Sequence, residues 1–266
     1  MEVSPDELLD LARRLAAEAA VLLREGLERP RTEVETKSTS TDMVTEMDRA
    51  SERLLVDGIR RKRPDDAILS EEGGGGAGSS PVRWVLDPLD GTTNYLYGHP
   101  GFAISIAAEV GGQTVAGVVH DVVHDEVFEA TRGGGARRNG EPIAVSAEVE
   151  LGSALVATGF GYDPERRRAQ AQVLASVIGR VRDVRRMGAA AVDLCSVACG
   201  RVDAYYERGL NHWDLAAGEL IASEAGASLG AIEGGPAKPG SVVAATPALF
   251  EPLRVLLLEA GAADHA

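Results

Sequence analysis

The stretch Trp84-Val85-Leu86-Asp87-Pro88-Leu89-Asp90-Gly91-Thr92-Thr93-Asn94 decides how this chain is read. An apolar run, Trp84 to Leu86, has the character of a buried strand and ends abruptly in two acids three residues apart. Pro88 between them removes a backbone donor and fixes φ, so the Asp87 and Asp90 side chains and the Leu89 carbonyl can converge on one point. Hard oxygen donors of this kind select Mg²⁺ or Mn²⁺ over zinc. Gly91-Thr92-Thr93 then reads as the start of a short helix, whose free N–H groups and positive dipole end suit a phosphate. The alternative is a plain Asp-Pro turn followed by a helix cap.

Two further acidic clusters bear on that choice. Glu71-Glu72 follows the apolar Ala67-Ile68-Leu69, so at least one carboxylate is expected at a strand end beside the core, where an unpaired charge is costly. A solvated loop pair is the other possibility. Trp213-Asp214-Leu215-Ala216-Ala217-Gly218 places Asp214 at a helix start followed by small residues that permit close packing, with a plain N-cap as the simpler role.

Composition sets the frame. The 266 residues are 44% hydrophobic and 26% charged, enough to bury a core without disulfide support. Lys and Arg number 27 against 41 Asp and Glu, and the resulting charge of −14 argues against nucleic acid as a partner, since a phosphate-binding face should be basic. An anionic ligand would need local positive charge. Cys195 and Cys199, four apart in a helical run, are expected to be small packing residues rather than a metal or redox pair. Met1-Glu2-Val3-Ser4-Pro5-Asp6 is acidic rather than cationic and no apolar run approaches 18 residues. Neither a signal peptide nor a membrane span is expected, and the location predicted is cytoplasmic.

Ser4-Pro5-Asp6-Glu7 predicts a capped helix carrying Leu8, Leu11, Leu15, Ala19 and Leu22 and ending near Gly26. Thr45-Glu46-Met47-Asp48 predicts a second, running through Leu54, Leu55 and Ile59 to just before Pro64, with a polar loop around Lys37 between the two. From Ala67 to about Ile143 short β-rich runs separated by Gly111-Gly112, Gly133 to Gly135 and Asn139-Gly140 predict an antiparallel meander. Beyond about residue 146 strands alternate with helices, which implies an α/β lobe. The expected organisation is therefore an N-terminal lobe, 1–146, and a C-terminal lobe, 147–266.

Three other motifs are weaker. Gly73, Gly75 and Gly78 match a dinucleotide-binding pattern, but Ser79-Ser80-Pro81 follows where a helix should open, so a mobile loop is expected. Gly226 to Gly230 matches a nucleophile elbow, yet a helix precedes it and the only later histidine is His265. His120 and His124 have zinc-pair spacing, but in a strand and turn that spacing does not bring two ligands together.

Taken in order, Asp42-Met43-Val44-Thr45-Glu46-Met47-Asp48, Ser70-Glu71-Glu72, the Asp87 to Asn94 stretch, and Gly188-Ala189-Ala190 leading through Asp203-Ala204-Tyr205-Tyr206-Glu207 to Trp213-Asp214 resemble the inositol monophosphatase family of Mg²⁺-dependent phosphomonoesterases. Ser70 stands where many members have glycine and Tyr95 where many have phenylalanine; neither change removes a ligand. The resemblance implies an α+β fold, a layered α-β-α-β-α sandwich, acting as a homodimer. It implies that Glu71, Asp87 and the Leu89 carbonyl hold one Mg²⁺, that Asp87, Asp90 and Asp214 hold a second, and that Glu71 assists a third, weaker ion. Thr92, hydrogen-bonded to Asp48, is similar to the group that orients and deprotonates the attacking water, which makes Thr92, Asp48 and Glu71 the implied catalytic set. Gly91 and Thr92 would cradle the phosphate, and Asp90, Gly188, Ala190, Glu207 and Asp214 would line the substrate. Four carboxylates carry −4, which two Mg²⁺ ions cancel, so a dianionic phosphomonoester can enter an acidic protein. The substrate so implied is a small polyol or sugar phosphomonoester, first myo-inositol 1-phosphate, with histidinol phosphate, fructose bisphosphate or adenosine bisphosphate as alternatives. A regulatory protein-binding module that reuses the fold is the rival from another class.

Overall fold

Local chemistry sets the first helix. The Ser4 hydroxyl accepts from the Glu7 N–H and Pro5 opens α1 (Pro5–Leu27), whose Leu8, Leu11, Leu15, Ala19 and Leu23 form one buried stripe. The computed structural model describes residues 3–28, 34–36 and 43–263. The expected loop around Lys37, Asp42 of the acidic motif and His265 lie outside the described residues. A short antiparallel pair, β1 (Val34–Thr36) and β2 (Met43–Thr45), leads into α2 (Glu46–Lys62).

A seven-stranded sheet follows in spatial order: β3 (Ala67–Ser70), β4 (Val82–Asp90), β5 (Ala103–Val110), β6 (Gln113–Asp121), β7 (Glu126–Thr131), β8 (Ala136–Arg138) and β9 (Glu141–Pro142). The meander is antiparallel from β4 onward, but β3 runs parallel to β4, which periodicity alone did not indicate. The glycine-rich connection that makes this possible is pinned rather than loose. Ile68 and Gly76 exchange two backbone hydrogen bonds of 2.9 Å, and a Cβ on Gly75 would fall 2.1 Å from the Ile68 carbonyl oxygen. The segment Gly73 to Gly78, expected to be a mobile loop, thus carries a backbone bridge at Gly76. Between β4 and β5 lies the short α3 (Thr92–Tyr97).

The second sheet has five strands in the order β11 (Asp183–Arg185), β10 (Leu155–Thr158), β12 (Ala204–Arg208), β14 (Ser241–Ala245), β13 (Ser228–Gly230). β10 is parallel to both its neighbours, whereas β14 is antiparallel to β12 and β13, so the strand and helix alternation gives a mixed sheet. Its helices are α4 (Pro164–Val177), α5 (Ala190–Ala198), α6 (His212–Glu224) and α7 (Pro247–Glu259).

Four buried clusters show the layering. One joins α1 and α2 to the first sheet through Leu15, Leu55, Trp84 and Ile104; a second packs the other face of that sheet on α5 and α6 through Val85, Ala107, Cys195, Ala217 and Ile221. A third sets α5 and α6 on the second sheet through Leu194, Leu215, Tyr205 and Ala244, and a fourth covers that sheet with α4 and α7. The order is α-β-α-β-α, as expected. The middle layer is short of bulk because it must touch a sheet on both sides; a Cβ on Gly117 would come 3.1 Å from the Ala217 Cα. Cys195 is one of its buried packing residues, as its spacing suggested. Among the described residues no helix is long and apolar enough to cross a membrane.

Candidate active site

The decisive stretch forms the last turn of β4 and its exit. In an unbroken strand, residues three apart point to opposite faces. Here the β4 register slips: Asp87 pairs with Ser105 and Asp90 with Ala103, so three steps on one strand match two on the other. The slip at Pro88-Leu89 is a β-bulge, and it turns both aspartates to one side. It is held from α2, where the Ser51 hydroxyl donates to the Pro88 carbonyl at 2.8 Å. Gly91 then takes φ +88°, with Gly101 O only 2.6 Å from where a Cβ would sit, and releases the chain into α3.

Asp87, Asp90, Glu71, Leu89, Gly91, Thr92, Gly188, Ala190, Glu207 and Asp214 all line one cavity of about 350 Å³. They arrive from the exits of β3, β4 and β12 and from the starts of α3, α5 and α6. Asp48 does not line it but stands directly behind. Its Oδ1 accepts from the Thr92 hydroxyl at 2.8 Å, while its Oδ2 accepts from the Thr45 N–H at 2.8 Å. One carboxylate thus caps α2 and grips Thr92 at once. Asp214 is the same kind of residue. It sits at the third helical position of α6, not at the N-cap, and its Oδ2 accepts from the N–H of the true N-cap, Asn211, at 2.6 Å.

Burial and crowding set the charges. Burial first, then the negative charges of Glu71, Asp90 and Asp214, hold the Asp87 carboxyl well above the ordinary aspartate range. Asp90 is pushed to about 7 by burial, against the hydrogen bond its Oδ2 accepts from the Ala191 N–H at 2.7 Å. Asp214 is likewise raised well up by burial and by Asp90. The aspartates share no centre as they stand. Among the described residues no three His, Cys, Asp or Glu side chains close on one point, and Asp87, Asp90 and Asp214 each accept a hydrogen bond from a nearby N–H, that of Leu89, Ala191 and Asn211. Hard carboxylate oxygens raised by one another's charge are nevertheless a donor set that a divalent cation relieves, and these residues fit one.

On the far wall stands Glu207, pushed to about 7 by burial, with the Tyr205 hydroxyl donating to its Oε2 at 2.7 Å. Gly159 makes its room: a Cβ there would fall 1.8 Å from Glu207 Oε2. Asn94 braces the floor by donating to the carbonyls of Gly101 (2.6 Å) and Met187 (2.7 Å), which joins the β4 exit to the loop before α5. Sequence reasoning missed Ser51, Asn94 and Gly159, and also Arg166 and Arg186, which line the same cavity. The motifs set aside stay outside it: His120 meets Asp125 and His124 meets Asp121, and Ser228 lies in β13.

The chain is a phosphoric monoester hydrolase by family, and its layered α+β sandwich gathers the acid set on one cavity. The sequence model of the Inositol monophosphatase family matches residues 4–260, and the chain belongs to that family, whose members are metal-dependent and act on small phosphate substrates. It is 47% identical over 274 residues to the inositol-1-monophosphatase SuhB of Mycobacterium tuberculosis, covering 95% of this chain and 94% of that one. It is 42% identical to the Nus factor SuhB of Pasteurella multocida, covering 92% and 93%. The crystal structure of the extragenic suppressor protein suhB of Bartonella henselae superposes with a TM-score of 0.90 at 35% identity, over 94% of this chain and 98% of that one.

The Gly159 contact gives a direct test. Gly159→Ala should lower the melting temperature by forcing Glu207 aside, whereas the same change in a Glu207→Ala background should cost almost nothing. The coupling expected in a thermal double-mutant cycle is about 1–3 kcal/mol; additive effects would mean that Glu207 does not occupy the space Gly159 leaves.

Proposed function

We propose that this chain hydrolyses a small polyol or sugar phosphomonoester, with myo-inositol 1-phosphate the first substrate, using two to three Mg²⁺ ions, as a homodimer in the cytoplasm. The observation that carries this is the single cavity on which Glu71, Asp87, Asp90 and Asp214 meet, with Thr92 and Asp48 against it. The lobe 1–146 supplies Glu71 through Thr92, and the lobe 147–266 supplies Glu207 and Asp214.

Glu71, Asp87 and the Leu89 carbonyl would hold one ion, and Asp87, Asp90 and Asp214 another. Bound Mg²⁺ would polarise the phosphoryl oxygens and make water a stronger acid. The protein's own groups then orient the reaction. The Thr92 hydroxyl donates a hydrogen bond to Asp48 Oδ1, so that as Thr92 Oγ1 takes a proton from the attacking water its own proton would pass to Asp48 Oδ1, leaving Thr92 neutral and Asp48 protonated. The backbone at Gly91 and Thr92 is the phosphate cradle. Gly188, Ala190, Asp90 and Glu207 face the alcohol portion, and Glu207, an acceptor for hydroxyls at the far wall, favours a polyol over histidinol phosphate, fructose bisphosphate or adenosine bisphosphate. A purely regulatory binding module would have no use for four acids crowded against their own repulsion.

Phosphate release from a panel of phosphomonoesters decides the matter. Activity should require Mg²⁺, disappear on chelation and be inhibited by Ca²⁺, which prefers longer bonds and more ligands. Asp90→Asn and Asp214→Asn should each lower turnover at saturating Mg²⁺ by more than the roughly hundredfold that outer-shell substitutions cause. Activity that survives chelation would refute the metal assignment.

Asp48 carries a separable expectation. As a helix cap alone, Asp48→Asn should cost about 0.5–2 kcal/mol of stability and spare turnover. As the partner of Thr92, Asp48→Asn and Thr92→Ala should be strongly non-additive in kcat, the double variant being no slower than the worse single one. Additive losses in kcat would reduce Asp48 to its capping role.

A further inference from the structure

One face of α2 touches the segments that build the site three times. Ser51 and Glu52 follow Asp48 by three and four residues, so all three side chains leave the helix on the same side, and all three are buried. Asp48 takes the Thr92 hydroxyl, and Ser51 holds the Pro88 carbonyl of the β4 bulge. Glu52 has a different target. Its Oε1 accepts from the Gly74 N–H at 3.0 Å, and Arg60, two turns further along α2, donates to the Gly74 and Gly75 carbonyls at 3.4 Å. Glu52 itself does not line the cavity.

What Glu52 grips is the return arm of the loop that carries Glu71. The Glu71 N–H still donates to the Leu86 carbonyl of β4 at 3.2 Å. The chain then turns at Gly73, φ +84°, and comes back to bridge Ile68 at Gly76. Gly74 lies between turn and bridge, three residues from Glu71. The fit is close, since a Cβ on Gly74 would fall 2.6 Å from Glu52 Oε2. Stability is a poor account of this contact. Gly74 is exposed, so water would take the place of Glu52 at its N–H, and a hydrogen bond of that kind adds little to folding. A buried carboxyl group spent on an exposed backbone N–H fixes where the loop lies.

We infer that Glu52 is a positioning residue for the metal site: through Gly74 it sets the place of the Glu71 carboxylate. The same face of α2 thereby locates Thr92, the bulge between Asp87 and Asp90, and Glu71. The inference rests on the metal-dependent phosphatase reading above, and adds to it a residue that touches neither the ions nor the substrate.

The test is thermal melting of chelator-treated full-length protein at increasing Mg²⁺, which gives an apparent dissociation constant for the ion. Glu52→Ala should raise that constant about ten- to a hundredfold, the loss that removing an outer-shell partner of a metal ligand causes. Its melting temperature without metal should stay close to that of the wild type. Glu52→Gln keeps an oxygen for the Gly74 N–H but not the charge, and should restore most of the affinity. Should Glu52→Ala melt early without metal, Gly74→Ala carries the comparison, because its Cβ drives the same carboxyl group and loop apart, and the same rise is expected. A Glu52→Gln variant that loses as much affinity as Glu52→Ala overturns the inference, since Glu52 then acts by its charge at a distance. Unchanged Mg²⁺ affinity in Glu52→Ala and Gly74→Ala overturns it too, making Glu52 a structural tie and leaving the phosphatase reading intact. A wild type whose melting ignores Mg²⁺ overturns both.

Discussion

Everything in this molecule is arranged around a repulsion. Asp87, Asp90 and Asp214 are buried on one cavity, and each is held above its ordinary range by burial and by its acidic neighbours. Left to themselves such groups would separate or reach for water. They stay together because each is fixed by a different layer: Asp87 and Asp90 by the bulged end of β4, Asp214 by α6 in the central layer. The bulge is in turn held by Ser51 from the outer helix layer. Holding the acids apart from solvent and close to one another is the work of a five-layered structure rather than of any one loop.

The positioning relies on ordinary local devices put to a second use. Asp48 and Asp214 are both acids at the third position of a helix, where a carboxylate commonly caps the backbone. In each, one oxygen does so. A capping acid cannot rotate freely, so its position is set before any ligand arrives, and the Asp48 oxygen not used for capping takes Thr92. Helix stability and preorganisation of the site are here the same hydrogen bonds.

This double use also explains what was legible in the sequence. Asp87-Pro88-Leu89-Asp90-Gly91 carried its meaning locally, because proline and glycine each have one strong backbone consequence and the acids lie on either side of them. The capping motif before Asp48 was equally readable, but it suggested a choice between cap and site, when the two oxygens serve one each. Element types followed from period and turn residues. The parallel pairing of β3 with β4 did not, since it depends on a tied glycine-rich connection that composition presents as loose. Arg166 sat unnoticed in a run of three arginines, and Gly159 in an unremarkable Thr158-Gly159-Phe160; their meaning lies in what stands across the cavity, and nothing in their own neighbourhood reports that.

The central claim, that the crowded acids form a site for divalent metal, is tested most directly by thermal melting of chelator-treated protein as Mg²⁺ is added, for the wild type and for Asp87→Asn. Relief of the repulsion should raise the wild-type melting temperature by roughly 5–10 °C at a hundredfold excess over the dissociation constant. Without metal, Asp87→Asn should melt no lower than the wild type, since it removes one of the opposing charges, and Mg²⁺ should then move it little. A wild-type melting temperature indifferent to Mg²⁺, or an Asp87→Asn variant that keeps the full shift, would contradict the account.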